Sequence, residues 1–454
     1  MNEALRRIRA ALGEAQLVVV GGAVRDELLK RPHADWDLAT DLLPEEVMRR
    51  AKHAGLRALP TGLQHGTVTV LVEHQPFEIT TFRSEGEYRD GRHPDHVRLG
   101  VTLEEDLSRR DFTFNAMALP VEGGEVVDPF GGRKDLEAGL IRAVGDPLQR
   151  FGEDGLRPYR ACRFASQLGF RIEAATLAAI PERLATARKV AVERVMVELT
   201  KLLCGRDPKA GLQALADTGL LDLCLPELRP MQGCTQNRHH RFPVWEHMLE
   251  VVGFADPEPA LRWAAVLHDV GKPSTRTVDE TREVHFYGHE EVSVRLAGEI
   301  LGRLRASKDL TQEVVALVRH HGTHPTDAWS DAACRRLLRK LDEDQLSLDL
   351  WGRFRIADQL GKGWGEEPFR SDNVKLLARL QALADAKPPL RASDLALDGR
   401  ALMALAGRKG GPWLGELQKH LLEAVIEEPG LNTGTSLEAL ARSWLQSKAL
   451  GSGL

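Results

Sequence analysis

The stretch Leu17-Val-Val-Val-Gly21-Gly22-Ala-Val-Arg25-Asp-Glu-Leu-Leu-Lys-Arg-Pro-His-Ala-Asp35-Trp-Asp37-Leu-Ala-Thr40 decides the fold. A short β-branched run that ends in Gly-Gly predicts a strand, a tight turn and a helix starting near Ala23. Backbone amides of a Gly-rich turn at a helix N-terminus form an anion site, which suits phosphates. Arg25 adds a planar cation one turn in. Asp35 and Asp37 stand at i and i+2, and on a strand that spacing sends both carboxylates to one face. Two hard oxygen donors on one face suit Mg²⁺ when phosphates fill its remaining positions.

Further along, Thr67 to Val72 and Phe77 to Phe82 are β-branched stretches, with His74-Gln75-Pro76 between them as turn chemistry. Glu78 is placed there as a third carboxylate on a neighbouring strand. The polar, Gly-containing stretch 82–95 is expected to be a loop. In Ser108-Arg109-Arg110-Asp111-Phe-Thr-Phe-Asn115, paired arginines beside an Asp and an Asn predict contacts to nucleotide phosphate and ribose, with Arg110 and Asp111 foremost. Asp128-Pro-Phe-Gly-Gly marks another loop, and from about residue 147 the periodicity is helical to the end. The expected architecture is an α/β head with a mixed β-sheet palm (1–145), an all-α neck (146–225), a histidine-rich helical domain (226–360) and a helical tail (361–454).

The neck carries Glu153-Asp154-Gly-Leu-Arg157-Pro-Tyr-Arg160-Ala-Cys-Arg163. Asp154 and Arg157, at i and i+3, point the same way on a helix entry. A carboxylate accepts from the amino group of cytosine or adenine while a guanidinium donates to the ring acceptor. Uracil and guanine offer a carbonyl where the carboxylate needs a donor. Each bidentate base contact is worth about 1–3 kcal/mol of discrimination. Arg160 and Arg163 extend the basic face as further nucleotide contacts. Pro158 demands either a helix that begins near Arg157 or a kink there.

Taken in order, GGAVRD, DWD, RRDFTFNAMAL, DPFGG, IRAVGDP and FGEDGLRPYRACRFASQLGF resemble the class II tRNA nucleotidyltransferases, the CCA-adding enzymes, and their bacterial poly(A) polymerase relatives. The resemblance spans about residues 17–175. It implies that Asp35 and Asp37 hold catalytic Mg²⁺, that Gly22, Arg25 and Arg110 contact the nucleotide, and that Asp154 and Arg157 act as an amino-acid template for CTP and ATP. The implied partner is the 3′ end of tRNA. Members of the family that add only CC lack much of the loop at 82–95, so its presence points away from a CC-only enzyme. Addition of A alone and poly(A) synthesis stand as alternatives within the class. The mixed charge of 361–454 is unlike the basic tail that nonspecific RNA binding requires.

A second constellation lies in the middle: His247 in PVWEHMLEVV, His268-Asp269 in AAVLHDVGKP, His289, His320-His321 and Asp358. Imidazoles and carboxylates on successive helices can converge on a divalent metal. The pattern resembles HD-family phosphohydrolases, which implies His247, His268, Asp269 and Asp358 as ligands of a second divalent metal, with His289 and His320 as additions. His239-His240 is read as structural or exposed. A hydrolase whose head is vestigial is the competing class.

Composition narrows the setting. The chain has 454 residues with 43 % hydrophobic and 28 % charged content, which excludes a disordered chain. A net charge of −5 excludes a polycation, so RNA must meet a local basic surface. The five cysteines never form a CxxC pair, which fits a reducing cytoplasm. The amphipathic first segment lacks an apolar signal core, and no run approaches the ~18 apolar residues of a membrane span.

Overall fold

Helix α1 (Glu3–Leu12) leads into β1 (Leu17–Val20), whose four side chains are all buried. Burial on both faces explains why this strand reads as a continuous apolar run rather than an alternation. After α2 (Gly22–Leu28) come β2 (Asp37–Thr40), α3 (Pro44–His53), β3 (Arg57–Gly62), β4 (Thr67–Val72) and β5 (Gln75–Thr81). The short pair β6 (Arg83–Glu85) and β7 (Val97–Leu99), α4 (Leu103–Ser108) and β8 (Ala118–Pro120) complete the head. The main sheet runs β3-β4-β5-β2-β1-β8, with β2 and β5 parallel and the other neighbours antiparallel.

This computed structural model describes residues 3–32, 36–86, 97–238, 240–326, 328–365 and 367–451. Asp35, His239 and most of the 82–95 loop lie outside the described residues. One expectation shifts: the turn before β5 is Glu73-His74, not His74-Gln75-Pro76. Both turn residues have positive φ (50° and 68°), the two-residue geometry that matches strand twist, so pairing runs out to Val72 against Gln75.

The chain divides into two compact units, Met1–Arg229 with Arg303–Arg305, and Pro230–Gly302 with Ala306–Leu454. In the first unit the sheet is followed by α5 (Gly132–Glu137), α6 (Pro147–Glu153), α7 (Leu156–Leu168), α8 (Ala174–Glu182), α9 (Leu184–Ala187), α10 (Val192–Leu203), α11 (Pro208–Asp217) and α12 (Leu221–Cys224). Packed by α10 and α11, α7 is buried along most of its length. Pro158 falls in its first turn, so the helix starts at Leu156 without a kink. Gly155 precedes it, and a Cβ there would collide with the carbonyl of Thr186. That joint is closed by main chain against main chain.

The second unit contains α13 (Val244–Phe254), α14 (Pro259–Leu267), α15 (Lys272–Thr275), α16 (His289–Arg303), α17 (Lys308–His320), α18 (Asp331–Glu343), α19 (Leu348–Gly361), α20 (Glu367–Asp385), α21 (Gly399–Ala406), α22 (Pro412–Glu427) and α23 (Gly434–Gly451). α13, α14, α17 and α19 pack together around the buried Trp263, Trp351 and Phe354. Leu402, Leu417, Leu421, Val425 and Leu437 form a separate apolar cluster among the last three helices. No described helix is long and apolar enough to cross a membrane, and all five cysteines are free.

Candidate functional site

Gly21 caps α2 at φ 71°, a conformation that glycine adopts without strain. A Cβ on it would lie 3.0 Å from Arg110 Nη1 and 3.7 Å from Asp37 Oδ2, so the glycine turn, the DWD carboxylate and the RRD guanidinium meet at one point. Asp37 opens β2, is exposed, and pairs in register with the exposed Glu78 on parallel β5. Register partners on parallel strands share a face, so these two carboxylates form the acidic edge.

The arginines of the RRD motif are anchored by a residue the sequence reading passed over. Asp106, buried on α4, accepts from Arg109 at 2.8 Å and from Arg110 at 3.2 Å. Burial pushes its carboxyl up, but the two guanidiniums outweigh that and hold it below its ordinary value. The signal was present as a carboxylate three and four residues ahead of paired arginines.

A polar chain continues inward. Arg25 donates to Asp26 and, through Nη1, to Asn115 Oδ1 at 3.0 Å, and Asn115 donates to Asp111 Oδ1 at 3.1 Å. Asp111 also accepts from Arg160 Nε at 2.6 Å. Burial opposes the charge on Asp111, yet Arg160 and Asn115 bring its carboxyl down to about 2. Phe164 lies beneath three guanidiniums, those of Arg25, Arg160 and Arg163, at 5.3, 5.5 and 3.8 Å from its ring centre. Its edge-on contacts with Phe112 and Phe114 hold it in place.

At the joint between α6 and α7, Arg157 does not pair with Asp154. It donates to Arg150 O at 2.9 Å, to Glu153 Oε2 at 2.5 Å and to Arg109 O at 2.8 Å. Three of its five N–H groups are thereby engaged and two are left. Asp154 accepts from Leu156 N at 2.9 Å and Arg194 Nη2 at 3.3 Å. Glu153 and Arg194 are thus partners that the motif spacing alone did not reveal. Arg163 departs from expectation: its guanidinium is buried, donating to Glu198 at 2.5 Å and Gln167 at 2.6 Å.

The second unit brings its histidines and aspartates together as two triads. His247, His268 and Asp358 form one and Asp269, His289 and His321 the other, with the ligand atoms of each within 4.8 Å of one another. Asp269 joins them: Oδ2 lies 3.2 Å from His268 Nε2 and 3.5 Å from His247 Nε2, while Oδ1 lies 3.6 Å from both His289 and His321 Nε2. The expected His320 is replaced by His321. Adjacent helical residues diverge by about 100°, and His320 turns away to Asp344 at 2.7 Å.

Asp269 Oδ2 is buried without a well-directed hydrogen-bond donor, although the Lys272 ammonium lies 2.7 Å away. Burial pushes the carboxyls of Asp269 and Asp358 up, but His268 and Lys272 around the first, and Lys362 and His247 around the second, hold both well below the ordinary value. Carboxylates and imidazoles converging in this way are the donor set that divalent transition metals take. The cavity above the ligands measures about 340 Å³.

Three family models match the chain: "Poly A polymerase head domain" over residues 17–142, "Probable RNA and SrmB- binding site of polymerase A" over 169–232, and "HD domain" over 244–386. The chain is 35 % identical to the CCA-adding enzyme of Enterococcus faecalis, over 93 % of this chain and 91 % of that one. It is 34 % identical to the CCA-adding enzyme of Bacillus velezensis, over 95 % of each. Among solved structures it is similar to the Bacillus stearothermophilus CCA-adding enzyme in complex with CTP, with a TM-score of 0.75 and 27 % identity, over 99 % of this chain and 100 % of that one.

Proposed function

The chain belongs to the family of CCA-adding enzymes and is a tRNA nucleotidyltransferase, and from that premise we propose that it builds or repairs the 3′-terminal CCA of tRNA from CTP and ATP. The observation that carries this reading is the pair of bonds tying head to neck, Arg157 to Arg109 O and Arg160 to Asp111. They weld the phosphate-side RRD motif to the base-side EDxxR motif. In this reading Asp154 accepts from the amino group of cytosine or adenine, and the two spare N–H groups of Arg157 donate to the ring acceptor. Glu153 and Arg194 aim the two readers. Gly21, Gly22, Arg25 and Arg110 hold the triphosphate, while Asp111 positions Arg160.

The 3′-hydroxyl oxygen of the RNA bonds to the α-phosphorus as the bond to pyrophosphate breaks, and the hydroxyl proton is lost. No separate general base is assigned. Nucleotidyltransferase and HD families use divalent metals; here Asp37, a hard donor at the acidic edge with Glu78 beside it, fits Mg²⁺, and Asp35 is assigned with it from the motif. When bound, that ion supplies charge neutralisation at the attacking and leaving oxygens. The working divisions are head 1–145, neck 146–225, HD domain 226–360 and tail 361–454, and the enzyme is assigned to the cytoplasm.

The shared Asp269 favours a second activity in the other unit, phosphoester hydrolysis. His247, His268, Asp269 and Asp358, with His289 and His321 close by, would hold divalent metal here. Such ions supply Lewis acidity toward the phosphate and the attacking water. The oxygen of water bonds to phosphorus, the ester P–O bond breaks, and the departing oxygen takes the proton.

The test incubates the protein and Mg²⁺ with tRNA transcripts ending at the discriminator base, at C and at CC, each with CTP, ATP, both, or UTP and GTP. Ordered completion on all three ends is expected, and Asp37→Ala should abolish it. Extension of the CC end alone by one A would replace the proposal with an A-adding enzyme, and long A tails with a poly(A) polymerase.

A further inference from the structure

We propose that Asp106 is a positioning residue for nucleotidyl transfer, holding the guanidinium of Arg110 in the orientation that receives the triphosphate of the incoming nucleotide. The inference rests on the reading of Arg110 as a triphosphate contact and names the residue that makes that contact ready.

Asp106 divides its two oxygens between the paired arginines. Oδ1 accepts from Arg109 through Nε at 3.1 Å and Nη2 at 2.8 Å, and from the main-chain N–H of Arg83 at 3.2 Å. Among the described residues, Oδ2 accepts from Arg110 Nη2 at 3.2 Å. The carboxylate is almost wholly buried, so this is a fixed anchor and not a loose surface ion pair. The two arginines then part company. Arg109 Nε also donates to Arg83 O at 3.1 Å, and Arg109 O accepts from Arg157 Nη2 at 2.8 Å, so Arg109 belongs to the frame of the joint. Arg110 faces the glycine turn, its Nη1 3.0 Å from the place of a Cβ on Gly21.

An arginine that gives one edge of its fork to a fixed carboxylate presents the other edge already oriented. The rotamer freedom of a long side chain is then lost in folding and not when the ligand binds. Arg110 Nε is buried without a hydrogen-bond partner among the described residues, so Asp106 is the group that sets the fork. The division of oxygens also says what one isosteric change would do. The amide of Asp106→Asn keeps an oxygen for Arg109 and Arg83 but sets its NH₂ against Arg110 Nη2, donor to donor. That variant releases Arg110 and leaves the frame of the joint in place.

The test measures KM for CTP, ATP and tRNA, and the preference for CTP over UTP, in wild type, Asp106→Asn, Arg110→Met and the double variant. Asp106→Asn should raise KM for CTP and ATP alike by about tenfold, some 1.4 kcal/mol. KM for tRNA and the rejection of UTP should stay within about twofold, because Arg109 O still holds Arg157. In the Arg110→Met background the same change should alter KM for the nucleotides less than about twofold, since a residue acting through Arg110 has nothing left to position. An unchanged KM in Asp106→Asn, or a comparable rise in KM for tRNA with UTP admitted, overturns the proposal. Arg110→Lys asks the question without touching the buried carboxylate. A point charge lacks the two-edged fork, so its KM should match that of Arg110→Met within about twofold, and a wild-type KM there overturns the proposal too. If Arg110→Met itself leaves KM for CTP unchanged, the reading of Arg110 as a triphosphate contact is what fails.

Discussion

The two candidate metal sites of this chain are built on opposite plans. At the head, Asp37 and Glu78 stand exposed at a sheet edge, and the cations around them, Arg25 and Arg110, belong to the place of a polyanion. In the second unit, His247, His268, Asp269, His320's neighbour His321 and Asp358 converge from several helices, with Asp269 and Asp358 almost wholly buried. The exposed site is half a coordination shell that substrate phosphates must finish. The buried cluster would supply most of a coordination shell from protein groups alone. On that contrast, metal at the head would exchange with the nucleotide, while metal in the second unit would be held by protein groups.

The sharpest way to break that contrast is a pair of single substitutions. Asp37→Ala should cost nucleotidyl transfer at least about 1000-fold, some 4 kcal/mol of barrier, and leave phosphoester hydrolysis intact. Asp269→Asn should do the reverse, and metal analysis should show bound metal falling in the second unit. Cross-effects of similar size on both activities would mean that the sites are not independent. Dialysis extends the comparison, since metal retained after gel filtration should disappear in Asp269→Asn but persist in Asp37→Ala.

Smaller effects test the links within the first unit. The carboxyl of Asp111 falls from its ordinary 3.8 to about 2 on folding, because Arg160 and Asn115 outweigh burial. A group depressed in this way stabilises the fold above about pH 4 and loses that contribution as pH falls toward 2. Asp111→Asn should therefore lower unfolding free energy at pH 7 by about 2 kcal/mol and flatten the acid slope between pH 4 and 2, as followed by urea titration. The smallest effect concerns Arg163. If its place is the buried pair with Glu198, replacing both by Met should change KM for CTP and ATP less than about twofold. Arg157→Met should raise it severalfold and relax rejection of UTP.

What the sequence disclosed follows from the range of the signal. The strand at Leu17 and the Gly-Gly turn depend on neighbours in the chain, and local chemistry sufficed for them; at Pro158 it left a helix start and a kink both open, and the packing of α7 decides for the start. The second unit's histidines were found for the same reason, each next to an apolar helical run. The misplacements were geometric. His320 and His321 are equivalent on paper, and only the angle between them on α17 turns one toward Asp344. Arg163 belongs to a regular basic face until α10 supplies Glu198, thirty-five residues away. Glu153 and Arg194 escaped notice because their importance lies in which partner they steady.

The joint between α6 and α7 has a consequence for how the protein changes over time. Because Gly155 meets the backbone of Thr186 directly, the angle at which Asp154 and Arg157 are presented depends on main-chain atoms that every sequence shares. Side chains of the neck other than those bonded to Asp154 and Arg157 can vary without changing that angle. A methyl group at Gly155 would open that joint, so the position tolerates no side chain.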